Sequence, residues 1–422
     1  MAELALLGGP KAIKVDGGDI FRWPIVTSED ENAVLEVLRR GAMSGTDVTL
    51  QFEQEIKEYF GSSYALCHNT GTAAIQSAMW ACGVKRGDEV ICQSMTYWGS
   101  ALQAFSLGAT VVFGEMDPQT LTLDPDDIES RITDRTKAII VVHYSAYPTD
   151  MDPIMEIAGR HGVKVIEDVS HAQGGLYKGR LLGTIGDVGA MSIMSGKSLP
   201  SGEGGFLVTE DKEVYERAAA FGHYQRMPTL DDPSLNSSSG MPLGGYKYRM
   251  HQLSSAVGRV QLANYSERMK VIQKAMNYFW DQMEGIQGIK AHRPAAESGS
   301  TMGGWYAAKG LYVTEELGGL SVSRFCEALN AEGVEYRIMP GANILMHLHP
   351  VMNEVDVYGD GRPTRIAFSD RDLRQGLGSL PITESLPEKC LSVPWFKHYR
   401  PEVIDEYVKA FRKVASRFED LL

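Results

Sequence analysis

Two short apolar runs limit the fold more than any other part of this sequence. Residues 138–143 read AIIVVH and residues 164–167 read KVIE, with a helical pattern over 152–160 between them. Unbroken β-branched runs of this length describe strands buried on both faces, the kind found in parallel sheets covered by helices. The alternation extends from about residue 52 to residue 209. It predicts a helix over 72–82, a strand over 89–93, a helix over 100–107 and a strand over 109–113. The expected fold is therefore a doubly wound α/β domain with a mostly parallel sheet.

Beyond residue 210 the pattern changes. Residues 213–221 and 253–281 read as helices, the second long, and a polar Gly/Ser-rich loop, DDPSLNSSSGMPLGG (231–245), separates them. From about residue 285 a strand-like GLYVT (310–314) is mixed with helices over 322–330 and 401–422. This implies a smaller α+β C-terminal domain. The expected division is 1–280 for an N-terminal segment with the large α/β domain, and 281–422 for the small one.

Composition excludes several classes of function. A net charge of −13 argues against a nucleic-acid partner, which needs clustered Lys and Arg. No run approaches the ~20 apolar residues that span a bilayer, so no membrane is expected. The N-terminus lacks the basic and apolar regions of a signal peptide. Five cysteines without a C-x-x-C pair fit a reduced cytoplasm and exclude a Cys-type zinc site. His347-Leu348-His349 resembles a metal pair but has no evident third ligand, so no metal is expected.

The tripeptide Gly196-Lys197-Ser198 has the ending of a nucleotide-binding P-loop. That motif requires a Gly six residues before the Lys, where this chain has Met191. Pro200, Gly202, Gly204 and Gly205 also prevent the helix that a P-loop Ser opens. An ATP site is rejected. A Lys on such a loop is either a solvated charge or, if desolvated, an amine able to form a Schiff base.

Three other stretches lie where a strand ends and a loop begins, the place where such sheets bind ligands. Thr70-Gly71-Thr72 opens a helix, either as a simple N-cap or as an anion site. Tyr97-Trp98 offers a flat surface for a ring, or ordinary core packing. Asp168, with Ser170 and His171 after it, is either a helix cap or the carboxylate that a protonated pyridine nitrogen requires.

Taken in order, these stretches match a fold-type I pyridoxal phosphate (PLP) transferase. More narrowly, the chain resembles the DegT/DnrJ/EryC1/StrS family of sugar aminotransferases from Leu4 to about Val414. The resemblance is carried by NTGTAAI, GDEVICQSMTY, YPTDMDPIMEIAGRHGVKVIEDVSHAQGG, YKGRLLGTIGDVGAMSIMSGKSLPSGEGG and GYKYRMHQLSSAVGRVQL. It implies that Lys197 forms the Schiff base with PLP and then carries a proton, and that Asp168 pairs with the pyridine nitrogen. It also implies that His171 contacts the ring hydroxyl side, that Tyr97 stacks on the ring, and that Thr70, Gly71, Thr72 and Ser192 form a phosphate cup. Lys247 replaces the family's usual Asn, a residue that typically reaches across a dimer interface to the phosphate, so a homodimer with shared sites is expected. Ala146-Tyr147 departs from the usual Gly and small polar residue before Pro148, which bears on the sugar pocket.

The activity implied is transfer of an amino group from glutamate or glutamine to a nucleotide-linked keto-sugar or a keto-cyclitol. Related dehydratases carry His where Lys197 stands, and the alternative is such a dehydratase-like or regulatory PLP-binding protein. LALLGGPKA with Trp23-Pro24 is similar to the branch acting on cyclitol ketones with glutamine as donor. Arg249 or Arg337 is a candidate to orient a carboxylate or phosphate, and the 231–245 loop a candidate to close over substrate.

Overall fold

The computed structural model describes residues 3–236 and 240–422. At its centre is a seven-stranded sheet. In chain order its strands are β1 (Tyr64–His68), β2 (Glu89–Gln93), β3 (Thr110–Gly114), β4 (Thr136–Val142) and β5 (Lys164–Asp168). A two-stranded ribbon follows, β6 (Leu176–Tyr177) and β7 (Arg180–Leu181), and then β8 (Val188–Ser192) and β9 (Gly205–Thr209) complete the sheet. The spatial order is β1-β9-β8-β5-β4-β2-β3, parallel from β8 to β3, with β9 antiparallel to both β8 and β1.

Alternate side chains of each strand enter two different cores. Ile139 and Val141 join Ile91, Val165 and Phe206, while Ile140 and Val142 join Val90, Ile166 and Leu207 on the other face. Helices cover both faces, so the sheet is the middle of three layers, as the unbroken apolar runs require. Most predicted elements lie within two residues of the observed ones, among them the helices Gly71–Ala81 and Met151–His161.

Three predicted helices differ. Residues 98–107 form 3-10 turns, Trp98–Ser100 and Leu102–Leu107, on either side of Ala101 at φ −138°, ψ −28°. The side chain of Gln103 bonds back to Gly99 O, and this tighter winding directs Ser100 toward β5. The long 253–281 helix is two, Gln252–Ala263 and Tyr265–Gln282, interrupted at Asn264, whose side chain donates to Val260 O at 3.0 Å. The final helix ends at Ser416, with a 3-10 turn over Phe418–Leu421. Of the 231–245 loop, residues 237–239 lie outside the described residues, and its end is tied down by Leu243 N–H to Ala220 O at 2.8 Å.

A second, antiparallel sheet, β10 (Ile289–Ala291), β11 (Lys309–Tyr312) and β12 (Cys390–Ser392), lies with the helices Val322–Ala331 and Pro401–Ser416. The N-terminal segment is bound to these C-terminal elements. Glu332, fully buried, accepts the backbone N–H groups of Ala5 and Ala12, each at 2.9 Å, and pairs with Lys413 at 2.8 Å. Lys413 in turn donates to Pro10 O at 2.7 Å. Glu332→Ala leaves the buried Lys413 ammonium with Pro10 O alone and two partly buried N–H groups without their acceptor. We expect it to cost about 3–5 kcal/mol, measured as a fall in the urea midpoint at unchanged slope; a midpoint within experimental error of wild type would contradict this account.

Candidate active site

The carboxyl ends of the parallel strands point to one side of the sheet, and the four stretches singled out in the sequence meet there. What lets them meet is an absence of side chains. A Cβ on Gly71 would stand 2.5 Å from Ser192 Cα, and a Cβ on Gly205 would stand 2.5 Å from Gly71 N. Without either, the Gly71–Ala81 helix starts directly against the ends of β8 and β9. Thr70 caps this helix, its hydroxyl taking Ala73 N–H at 3.0 Å and its carbonyl Ala74 N–H at 3.2 Å. The first-turn donors left for a ligand are those of Gly71 and Thr72, at the positive end of the helix dipole.

Thr70, Gly71, Thr72, Tyr97, Asp168, His171, Ser192 and Lys197 border a single cavity of about 550 Å³. Lys247 does not border it. Its neighbours Tyr246 and Tyr248 stack on each other (4.9 Å, 15° between planes) and both reach Gln76, which leaves Lys247 on the opposite, exposed side of the segment. Arg249 bonds weakly to Tyr224 OH at 3.3 Å, and Arg337 is exposed. His347 and His349 lie on helical turns and diverge. His347 bonds Ser94 and Glu384, while His349 caps Val351 N–H.

Asp168 is buried, and both of its oxygens are engaged. Oδ2 accepts the Ser100 hydroxyl at 2.7 Å, and Oδ1 accepts Ser170 N–H at 3.0 Å. Thr96 Oγ1 lies 3.0 Å from Ser100 Oγ, completing a buried hydroxyl chain behind the carboxylate. His171 Nδ1 accepts Ser145 N–H at 3.2 Å, so Nε2 carries the proton of the neutral ring. Burial and the nearby ammonium groups of Lys197 and Lys309 push the imidazole well below its ordinary range, so it stays neutral. The backbone that makes this contact is unusual. Ser145 and Ala146 both adopt left-handed φ, 51° and 69°, a conformation costly for non-glycine residues and concentrated at functional sites.

Lys197 is buried, with Nζ 4.1 Å from the centre of the Tyr306 ring. Burial pushes its amine down to about 8 from 10.5, against the pull of the Asp168 carboxylate. A large fraction of it is therefore neutral, hence nucleophilic, near pH 8. The set fits PLP: free N–H groups and hydroxyls where a phosphate would sit, a carboxylate with its partners, and a desolvated amine.

A family model, that of the DegT/DnrJ/EryC1/StrS aminotransferase family, matches residues 24–412. The chain belongs to this family. It is a PLP-dependent aminotransferase, as the family match and the cavity's chemistry agree. It is 30% identical to an L-glutamine:scyllo-inosose aminotransferase of Streptomyces griseus, over 100% of this chain and 99% of that one. It is also 30% identical to a GDP-perosamine synthase of Caulobacter vibrioides, over 85% and 96%. Among solved structures, an aminotransferase from Psychrobacter cryohalolentis superposes with a TM-score of 0.81 at 27% identity, covering 94% of this chain and 99% of the other.

Several residues at the cavity have no local signal in the sequence. Ser100 faces Asp168 only because of the 3-10 winding. Tyr306, Ala307 and Asn343 arrive from the C-terminal half, with Trp305 and Ala307 at φ 57° and 56°. Asn343 is held by Tyr144 OH, which donates to its side-chain oxygen at 2.6 Å. Glu203, between two glycines, was legible as part of GEGG but not as a cavity residue.

Two measurements test this geometry. Gly71→Ala must displace the backbone at Ser192, so we expect a stability loss of about 1–3 kcal/mol and weakened PLP uptake; unchanged uptake would overturn the close-approach argument. In protein stripped of cofactor, reductive methylation of Lys197 followed against pH should show a midpoint near 8. Asp168→Asn should move that midpoint lower, since the carboxylate favours the ammonium form; an upward shift would contradict the assignment.

Proposed function

We propose that this aminotransferase moves an amino group from glutamate or glutamine to a keto-sugar or keto-cyclitol, with Lys197 as the residue that holds PLP covalently. The observation that carries the reading is a buried, desolvated Lys197 amine in one cavity with Asp168 and with the start of the Gly71–Ala81 helix. The names of the relatives, a glutamine:scyllo-inosose aminotransferase and a GDP-perosamine synthase, support the substrate class.

PLP, when bound, stabilises negative charge at the carbon that gives up or receives the amine. The protein's residues do the rest. Gly71 and Thr72 N–H groups, with the Thr72 and Ser192 hydroxyls, would hold the PLP phosphate. Asp168, oriented by Ser100 and Ser170 N–H, would pair with the pyridine nitrogen. His171, with its proton on Nε2, would donate to the ring hydroxyl, and Tyr97 would offer its ring as a stacking surface. Lys197, whose Nζ lies over Tyr306, would hold PLP covalently and would take up and return a proton at that atom.

Lys247, exposed and turned away from its own cavity, would reach the cofactor phosphate of a second subunit if the working unit is a homodimer. As a point charge it replaces a directional amide contact. The enzyme works in the cytoplasm, a reading supported by five free, buried cysteines.

The test is the visible absorption spectrum of the purified protein with PLP, before and after L-glutamate or L-glutamine, with Lys197→Ala beside it. A yellow band that a donor bleaches, and that the variant cannot form through residue 197, is the expected result. A yellow protein indifferent to both donors would overturn the transaminase reading, and a colourless one the PLP site.

A further inference from the structure

Trp23, half of the Trp23-Pro24 pair, sits directly behind the catalytic lysine. The chain leading to it is held by the C-terminal elements: Ile20 O accepts Lys397 N–H at 2.9 Å, and the Phe21 ring lies 5.5–5.6 Å from those of Tyr336, Phe396 and Tyr407. At Trp23 the segment turns toward the large sheet. Its indole Nε1–H donates to the backbone carbonyl of Lys197 at 2.8 Å, across 174 residues of sequence. The same indole packs on Trp395 at 5.8 Å, and Trp395 stands edge-on to Tyr306 at 5.7 Å, the ring that carries Lys197 Nζ. One aromatic set therefore holds the lysine at both ends, its peptide carbonyl through Trp23 and its amine through Tyr306.

We propose that Trp23 is a positioning residue for Lys197, fixing the peptide from which the side chain departs and so delivering Nζ to the cavity over Tyr306. The inference rests on the reading of Lys197 as the amine that holds PLP. The physical need is plain: a lysine stem has four flexible carbons, and ordering it costs rotamer entropy. Fixing the root plane limits where the tip can go. Ser198, the next residue, is pinned separately by Gln173 at 2.6 Å and by Tyr265 at 3.0 Å, so the loop does not depend on Trp23 for its existence. What Trp23 adds is a link from the N-terminal segment, and the C-terminal elements it is bound to, to the reacting group.

The experiment compares wild type, Trp23→Phe and Phe21→Leu in two rates: attachment of PLP to the cofactor-free protein, followed by absorbance, and bleaching of the band by saturating L-glutamate in a single turnover. Trp23→Phe keeps an aromatic ring against Trp395 but loses the N–H. We expect it to slow both rates about five- to tenfold, with the donor concentration for half-maximal rate unchanged. Phe21→Leu weakens the packing of the same segment without touching the hydrogen bond; it should lower Tm at least as much while leaving both rates at wild-type values. Wild-type rates in Trp23→Phe, or slowing in Phe21→Leu in proportion to its Tm loss, would overturn the proposal. If Trp23→Phe does not fold, site-specific benzothienylalanine at position 23, which exchanges the N–H for sulfur in the same ring outline, gives the same reading. A wild-type protein that never forms the band would instead overturn the functional reading itself.

Discussion

The close approach of the Gly71–Ala81 helix to the ends of β8 and β9 is the contact on which the site depends. With the Cβ positions of Gly71 and Gly205 vacant, the helix N-terminus lies against Ser192 and the entrance to the Lys197 loop. A helix one side-chain thickness further away would leave the phosphate donors and the amine in separate places. The sheet makes this approach possible by bringing β9 back antiparallel beside β8, so that the strand after the lysine loop returns to β1 and the helix start that follows it.

Around that contact the electrostatics are divided by burial. Lys197 is desolvated enough to lose much of its charge, while Asp168, no less buried, keeps two donors, Ser100 and Ser170 N–H, on its oxygens. His171 is kept neutral by burial and the nearby lysines, and in a single tautomer by the Ser145 N–H. Its donor comes from a pair of left-handed residues that a relaxed loop would not adopt. An amine that has lost much of its charge, a carboxyl group held by two donors and a neutral imidazole thus coexist in one cavity because each has a different set of neighbours.

The C-terminal elements are part of this arrangement. They supply Tyr306 and Asn343 to the cavity and bind the N-terminal segment through Glu332 and Lys413. That segment then returns to the lysine through Trp23. The C-terminal half also has buried lysines of its own. Lys309 donates to Gly341 O at 2.8 Å, close to the loop that carries Asn343, and Lys397 lies 3.3 Å from the Trp395 ring, pushed down to about 6 by burial.

How much of this was legible differs by length scale. The strands of the parallel sheet, the helix starting at Gly71 and the residues of the four loops could be read locally, because two-face burial leaves unbroken apolar runs and caps and glycine-rich turns have short-range chemistry. The resemblance to the family rested on those same segments. Where local reading failed, the cause was also local: a 3-10 winding around Gly99 and a break at Asn264 depend on side chains bonding back to the chain. What the sequence by itself determined is the α/β layering and the inventory of reactive groups, Lys197, Asp168, His171 and the Thr70–Thr72 cap. Only the tertiary structure decided which groups face them: Ser100 on Asp168 from 68 residues away, Trp23 on Lys197 from 174, and Tyr306 under the amine, while Lys247 turned outward. Such pairings have no periodicity to read, since they follow from how separate elements pack and not from the spacing of residues within any one of them.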